Sequence, residues 1–284
     1  MMGIVNITPD SFSDGGLYLD PAQAIDHGLQ LIEDGADILD LGAESTRPGS
    51  HAGNKDSSTV SADEEQSRLL PVIEGILKAT PNAILSADTY KASTARAAVA
   101  AGVEIVNDVS GFTWDSAMAK ACAELRCGVV LMHTRGKPEA WKTQPPLTPH
   151  EVLPIALDGL AASLHAAIHA GISFDRIVLD PGYGFGKRLD ENYALLARQS
   201  ELLTLERPLL TGLSRKSFLT RTLAHTSTRN SELQADYQQT ESRETASTAA
   251  LVASILAGAS IVRVHSVRPA VEATAIADAV LAAR

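Results

Sequence analysis

Residues 83–109 read AILSADTYKASTARAAVAAGVEIVNDV. An apolar run, Ala83 to Ala87, stops at Asp88. Lys91 to Ala101 then has the alanine-rich spacing of a helix, and Glu104 to Val109 is strand-like again, with Asn107 and Asp108 inside it. Two strands joined by one helix run parallel, and strands covered on both faces read as near-continuous apolar runs.

The same unit recurs in both directions along the chain. Strands are predicted at Ile4–Ile7, Ile38–Leu41, Ala83–Ala87, Glu104–Val109, Gly128–Met132, Ile177–Leu179, Pro208–Leu213 and Ile261–Val264. Helices are predicted at Pro21–Asp34, from Ser61, at Lys91–Ala101, Asp115–Leu125, Pro149–Ala170, Glu191–Leu203 and Pro269–Ala283. Asp20 before Pro21 reads as a helix start, and Ser61-Ala-Asp-Glu64 as a capping box. Strands and helices in this count predict an α/β fold, a (β/α)8 TIM barrel in one domain over 1–284, with an open doubly wound sheet as the alternative. Long loops are expected after strands 1, 2 and 7. The stretch Arg47–Ser61 is rich in Gly, Ser and Asn, and His225–Arg243 is polar; such loops act as lids or stay disordered.

The chain has 284 residues, 45% hydrophobic and 20% charged, an ordinary globular composition. A formal charge of −10 argues against nucleic acid or an anionic membrane as the main partner. Cys122 and Cys127 have neither disulfide-framework nor zinc-site spacing and read as reduced thiols. No apolar run reads as a membrane span and no leader precedes the first strand, so a cytoplasmic location is expected.

Polar residues gather where the apolar runs end. They are Asn6, Glu44 to Arg47, Asp88, Asn107, His133, Asp180, Ser214 to Ser217, and Arg263 with His265. In a parallel barrel these ends share one rim, the face where such folds place their sites. One zone, Asp88, Asn107 and Asp180, pairs acceptors with an amide and suits the edge of a heterocycle with adjacent N–H groups. The other zone, Arg47, Arg263, His265 and Lys216, suits phosphate. His133 reads equally well as a core residue, Arg47 as a solvated loop charge, and Asp108 as an outward-facing cap. The stretch DPGYGFGK at 180–187 is not a Walker A loop, because Pro181 and Arg188 stand where that motif needs Gly and Ser or Thr.

These residues also carry a resemblance. MGIVNITPDSFSDGG (2–16) and GADILDLGAESTRPG (35–49) resemble the two signatures of the dihydropteroate synthase family. SADT, VNDVSG, LDPGYGFGK, SRKSFL and RVH follow in the family's order, so the resemblance covers essentially the whole chain. It implies condensation of 6-hydroxymethyl-7,8-dihydropterin diphosphate with p-aminobenzoate, releasing diphosphate and 7,8-dihydropteroate. It also implies Mg2+ as cofactor, sulfonamides as inhibitors and a homodimer. Residue by residue it implies a pterin pocket of Asp88, Asn107, Asp180 and Lys216. The diphosphate site would be Asn6, Thr46, Arg263 and His265, with Mg2+ at Asn6. The p-aminobenzoate site would be Phe12, Thr46, Arg47, Pro48, Phe185 and Ser217. Asp14, Arg47, Lys216, Arg263 and His265 are the expected catalytic set, acting in an SN1-like substitution.

The chain departs from the family pattern at Ala43 (usually Gly), Thr134-Arg135 (usually Met-Gln), Ser266 (usually Asp) and in the length of 225–243. None of these removes an expected ligand, although Arg135 adds a charge near the pterin pocket. Two rivals are a methyltetrahydrofolate-using methyltransferase and a catalytically silent pterin or phosphate binder. The first has no need of the Ser-Arg-Lys-Ser, Arg-Val-His or Thr-Arg-Pro-Gly runs. The second would have lost charge from the anion zone.

Overall fold

A computed structural model describes residues 1–8, 21–46, 50, 52, 59–226 and 240–284. Its strands are β1 (Met2–Asn6), β2 (Ile38–Gly42), β3 (Ile84–Asp88), β4 (Ile105–Asp108), β5 (Gly128–Met132), β6 (Ile177–Asp180), β7 (Leu209–Thr211) and β8 (Ala259–Val264). They close into one parallel barrel in sequence order, β8 pairing with β1. The helices among the described residues are α1 (Pro21–Glu33), α2 (Ala62–Ala79), α3 (Ala92–Ala100), α4 (Met118–Leu125), α5 (Pro149–His169), α6 (Leu189–Ala197), α7 (Ser217–Thr226), α8 (Thr240–Leu256) and α9 (Val267–Ala282). The fold is the (β/α)8 TIM barrel.

Strand alternation sorts the side chains. One set, including Leu39, Leu41, Leu85, Val106, Val129, Leu131, Leu179 and Val262, packs outward under the helices. The other set points into the barrel. There Met2, Val130 and Leu210, with Ile38, Ile105, Val178 and Ile261, form an apolar plug towards the strand starts. Further along the same parity come Asp40, Ser86, Asp88, Asn107, Asp180 and Arg263. The barrel interior is therefore dry at one end and polar at the other.

Several boundaries differ from the sequence reading. β1 begins at Met2, β8 begins at Ala259, and β7 is only Leu209–Thr211, with a register shift against β8 at Leu209/Leu210. α4 starts at Met118 because Asp115 is used as a cap, accepting from Ala92 N and Ala117 N. α6 stops at Ala197 and gives way to a tighter turn at Gln199–Leu205. The expected 225–243 loop is shorter at its far end, since α8 begins at Thr240. Only half of the capping box at Ser61 forms: Ser61 Oγ accepts from Glu64 N at 3.1 Å, while the Glu64 carboxylate turns to Arg68. The membrane reading also needs correction. α5 is long and apolar enough to span by length and composition, yet it lies against β5, β6 and α6 as one of the barrel's outer helices.

A buried ionic knot ties β2, α2 and α3 together. Lys91 Nζ reaches Glu44 and, at 3.0 Å, Glu65, whose Oε2 also accepts from Thr94 Oγ1 at 2.8 Å. Burial pushes the Glu65 carboxyl up, against the pull of Lys91. Removing the one cation from two buried carboxylates leaves charge without a partner. Lys91→Met is expected to lower unfolding free energy by about 3–5 kcal/mol in urea denaturation. An unchanged midpoint and slope would show the knot to be energetically idle.

Candidate active site

The polar end of the barrel is organised around one guanidinium. Arg263, on β8, donates from Nε to Asp40 Oδ2 at 2.6 Å and from Nη2 to Asp88 Oδ2 at 2.8 Å. Asp40 Oδ2 also accepts from Asn107 Nδ2 at 2.9 Å. Asp40 is on β2, Asp88 on β3 and Asn107 on β4; Asp88 and Asn107 are register partners, and so are Gly42 and Asp88. A Cβ at Gly42 would lie 3.4 Å from Asp88 Oδ2, so this glycine leaves room for the carboxylate.

Burial raises the Asp88 pKa to about 7; Arg263 opposes the shift, and Asp40, Glu65 and Asp108 add to it. Asp180, at the end of β6, is also pushed up by burial and accepts from Gly182 N at 2.7 Å. Lys216 follows β7. Burial lowers its pKa to about 8, and its Nζ lies 4.1 Å from the centre of the Phe185 ring. It makes no hydrogen bond to a described residue.

The structure thus brings Asp88, Asn107, Asp180, Lys216 and Arg263 together. Arg263 was expected with the anion zone, but its guanidinium lies among the carboxylates and joins the two zones. His265 comes after β8 and pairs through Nδ1 with Ser214 Oγ at 2.9 Å. Burial, then Arg215 and Arg263, pull its pKa down to about 3, so it is a neutral ring. Asn6 is half-buried at the end of β1, Thr46 is half-buried after β2, and Ser217 is exposed at the start of α7. Phe185 packs edge-on to Trp141 at 5.2 Å. Phe12, Asp14, Arg47 and Pro48 lie outside the described residues.

Two backbone devices hold this rim. The 180–187 loop wraps around Lys187, whose Nζ donates to Gly182 O at 2.8 Å and His133 O at 3.2 Å. Gly182 has φ +68, and a Cβ there would come within 1.9 Å of His133 O, so only glycine fits. Arg215 sits at φ +58, unusual for a residue with a side chain. Its N donates to Ser247 Oγ, its Nε to Glu244 and its Nη2 to Ser266 Oγ, which turns Lys216 towards the barrel.

Sequence reasoning missed Asp40, Lys187 and the Arg215 clamp. Asp40 carried a signal: it shares the parity of Gly42 within an otherwise apolar strand. Two other readings resolve. Asp108 faces out of the barrel and caps a turn, accepting from Ser110 N and Phe112 N. The His133 ring packs on α5, where a Cβ at Gly159 would be 2.5 Å from its Cδ2. Arg135 spends its charge on Gly186 O, Pro145 O and Glu191.

Comparison with known proteins supports a single family. The model for pterin binding enzymes matches residues 2–265. The dihydropteroate synthase of Bacillus subtilis (strain 168) is 39% identical over 281 residues, covering 99% of this chain and 88% of that protein. A Xanthomonas albilineans dihydropteroate synthase solved with 4-aminobenzoic acid superposes with TM-score 0.83 at 40% identity, covering 99% of this chain and 92% of that one. A Yersinia pestis dihydropteroate synthase in a sulfonamide drug complex gives 0.84 at 36%, covering 100% and 94%.

His133 yields a pH test. Burial first, then Lys187 and Arg135, lowers its folded pKa to about 2 from 6.5. The unfolded chain therefore binds the extra proton first, and stability is lost as pH falls through 6.5. Between roughly pH 7 and 5 this one ring should remove about 2 kcal/mol. Paired denaturation curves should show His133→Gln losing that much less than wild type over the interval; equal losses would refute the assignment.

Proposed function

The chain belongs to the pterin-binding enzyme family and works as a dihydropteroate synthase, and from that premise we propose how its side chains share the reaction. The substrates are 6-hydroxymethyl-7,8-dihydropterin diphosphate and p-aminobenzoate; the products are 7,8-dihydropteroate and diphosphate. Asn107, Asp88 and Asp180 read the N–H groups of the pterin, and Lys216 donates to an acceptor on its edge. The observation that carries this reading is Lys216: a half-buried ammonium near Asp180 and Asp88, hydrogen-bonded to no described residue and set over Phe185. Such a group is costly unless a ligand completes it.

The bond between the pterin methylene carbon and the diphosphate oxygen breaks first, and its electron pair leaves with diphosphate. The cation left behind is delocalised into the ring. Asp40, Asp88 and Asp180 stand around Arg263 and Lys216, and carboxylate close to the ring favours that cation. The arylamine nitrogen then attacks the methylene carbon and loses a proton to water or to the departing diphosphate. We assign Ser214 Oγ as the donor to Nδ1, which puts the proton of the neutral His265 ring on Nε2, where it can donate to a phosphate oxygen. Thr46 joins it at the diphosphate, Arg263 stands where the two zones meet, and Phe185 and Ser217 border p-aminobenzoate. Phe12, Asp14, Arg47 and Pro48 complete the site on the family resemblance. Sulfonamides are expected to compete at the same subsite.

Among the described residues no three His, Cys, Asp or Glu side chains cluster as a metal cage. Asn6 offers one hard amide oxygen, which fits an ion that keeps its waters and arrives with the substrate's phosphates. Mg2+ held there would neutralise charge on the leaving diphosphate. We also place the enzyme in the cytoplasm, in keeping with two free buried thiols, and as a homodimer. Ile276 and Val280, one turn apart on α9, are exposed apolar side chains that a second copy would cover.

The chain mixed with Mg2+, the pterin diphosphate and p-aminobenzoate should release diphosphate and form dihydropteroate together. Lys216→Met should fold normally and lower kcat/KM for the pterin substrate by about 100-fold. Release of no diphosphate by the unaltered chain, with pterin still bound, would favour the silent binder.

A further inference from the structure

We propose that Asp40 is a positioning residue of the pterin pocket, holding Arg263 and Asn107 in one fixed arrangement before substrate arrives. The proposal rests on the dihydropteroate synthase reading of the same site.

Asp40 is fully buried, and a single oxygen, Oδ2, accepts from both Arg263 Nε and Asn107 Nδ2. The two contacts restrict different freedoms. Arg263 meets Asp40 with Nε and Asp88 with Nη2, so the side edge of its fork is anchored at two points and its plane cannot turn. Asn107 can present either its oxygen or its nitrogen to a ligand. An ionised carboxylate only accepts, so Asp40 takes the nitrogen and leaves Oδ1 for a substrate N–H.

The rest of Asp40 does not look like a residue built to stabilise the core. Its Oδ1 is buried with no partner among the described residues, and so is Ser86 Oγ, its register neighbour on β3. A buried carboxylate with one oxygen unpaired is a poor choice for stability alone. It is a good one for orienting a cation and an amide at once.

Asp40 also sets the charge around Asp88. The charged groups that act on Asp88 are Arg263 from β8, Asp40 from β2 and Lys216 from the β7–α7 turn, with Glu65 from α2 and the outward Asp108 of β4 acting from behind the sheet. Neutralising Asp40 removes one repulsion and leaves Arg263 wholly to Asp88. Both changes favour the ionised form of Asp88, the form that supports a cationic ring.

The test is Asp40→Asn, nearly the same shape without the charge. The unaltered enzyme is assayed first; failure to turn over would defeat the underlying reading, whatever the variant does. With wild-type turnover in hand, the variant should lose about 100-fold in kcat/KM for the pterin diphosphate, the penalty of a misplaced binding group. KM for p-aminobenzoate should stay within about threefold, since that ligand is on the other side of the site. The acidic limb of the kcat/KM profile should move to lower pH, which general loosening of the fold does not produce. Wild-type kcat/KM with an unmoved limb overturns the proposal. Should Asp40→Asn fail to fold, Asp40→Glu takes its place, keeping the charge but shifting the oxygen. It should show the same loss with the limb unmoved, and wild-type kcat/KM there overturns the proposal as well.

Discussion

One buried guanidinium shared by two carboxylates sets the terms for the rest of this site. Arg263 reaches Asp40 and Asp88 from across the strand order, linking β8 to β2 and β3 through side chains, while its backbone pairs with β1 and β7. Two carboxylates this close cannot both ionise without a cation between them. The cation in turn would be prohibitively placed without them. Each group makes the others tolerable, and together they form a polar end that the apolar plug below could not supply.

Much of the fold was legible because a barrel imposes two rules that leave marks in sequence. Strands covered on both sides are short apolar runs, and each is separated from the next by helical spacing. Those marks located every strand. What they did not locate were ends decided by side-chain competition. Asp115 was read as the first helical residue, but its carboxylate is worth more as a cap to Ala92 and Ala117. Glu64 was read as half of a capping box, but Arg68 lies one turn on and claims it.

The site was legible to the same depth. Asp88, Asp180 and Lys216 end or follow strands and Asn107 lies one residue from the end of β4, where a polar residue stands out against its run, and they meet in space. Asp40 escaped notice because it is inside a strand that reads as apolar, and only the parity of Ile38, Asp40 and Gly42 reveals that it faces the lumen. Arg263 shows the opposite limit. Its residue type suggested phosphate, yet type says nothing about which partners lie across the barrel. Departures from the family pattern are absorbed locally: Arg135 is spent on backbone carbonyls and Glu191, and Arg215 finds Glu244 and the Ser266 hydroxyl.

The charge pattern also says what kind of catalysis the pocket can support. His265 is neutral, Arg263 is already engaged, and Lys216 is the cation left to the substrate among the described residues of the rim. The described pocket is therefore not a strong anion trap: three carboxyls, Asp40, Asp88 and Asp180, stand beside Arg263 and Lys216. A site that only needed to grip diphosphate would be built the other way round. Carboxyls beside a flat ring make sense when the ring becomes positive, and a neutral imidazole at the edge makes sense when the anion must leave afterwards. On the proposed reading, the diphosphate is held by His265, Asn6 and Thr46. The barrel floor is left to favour the cation.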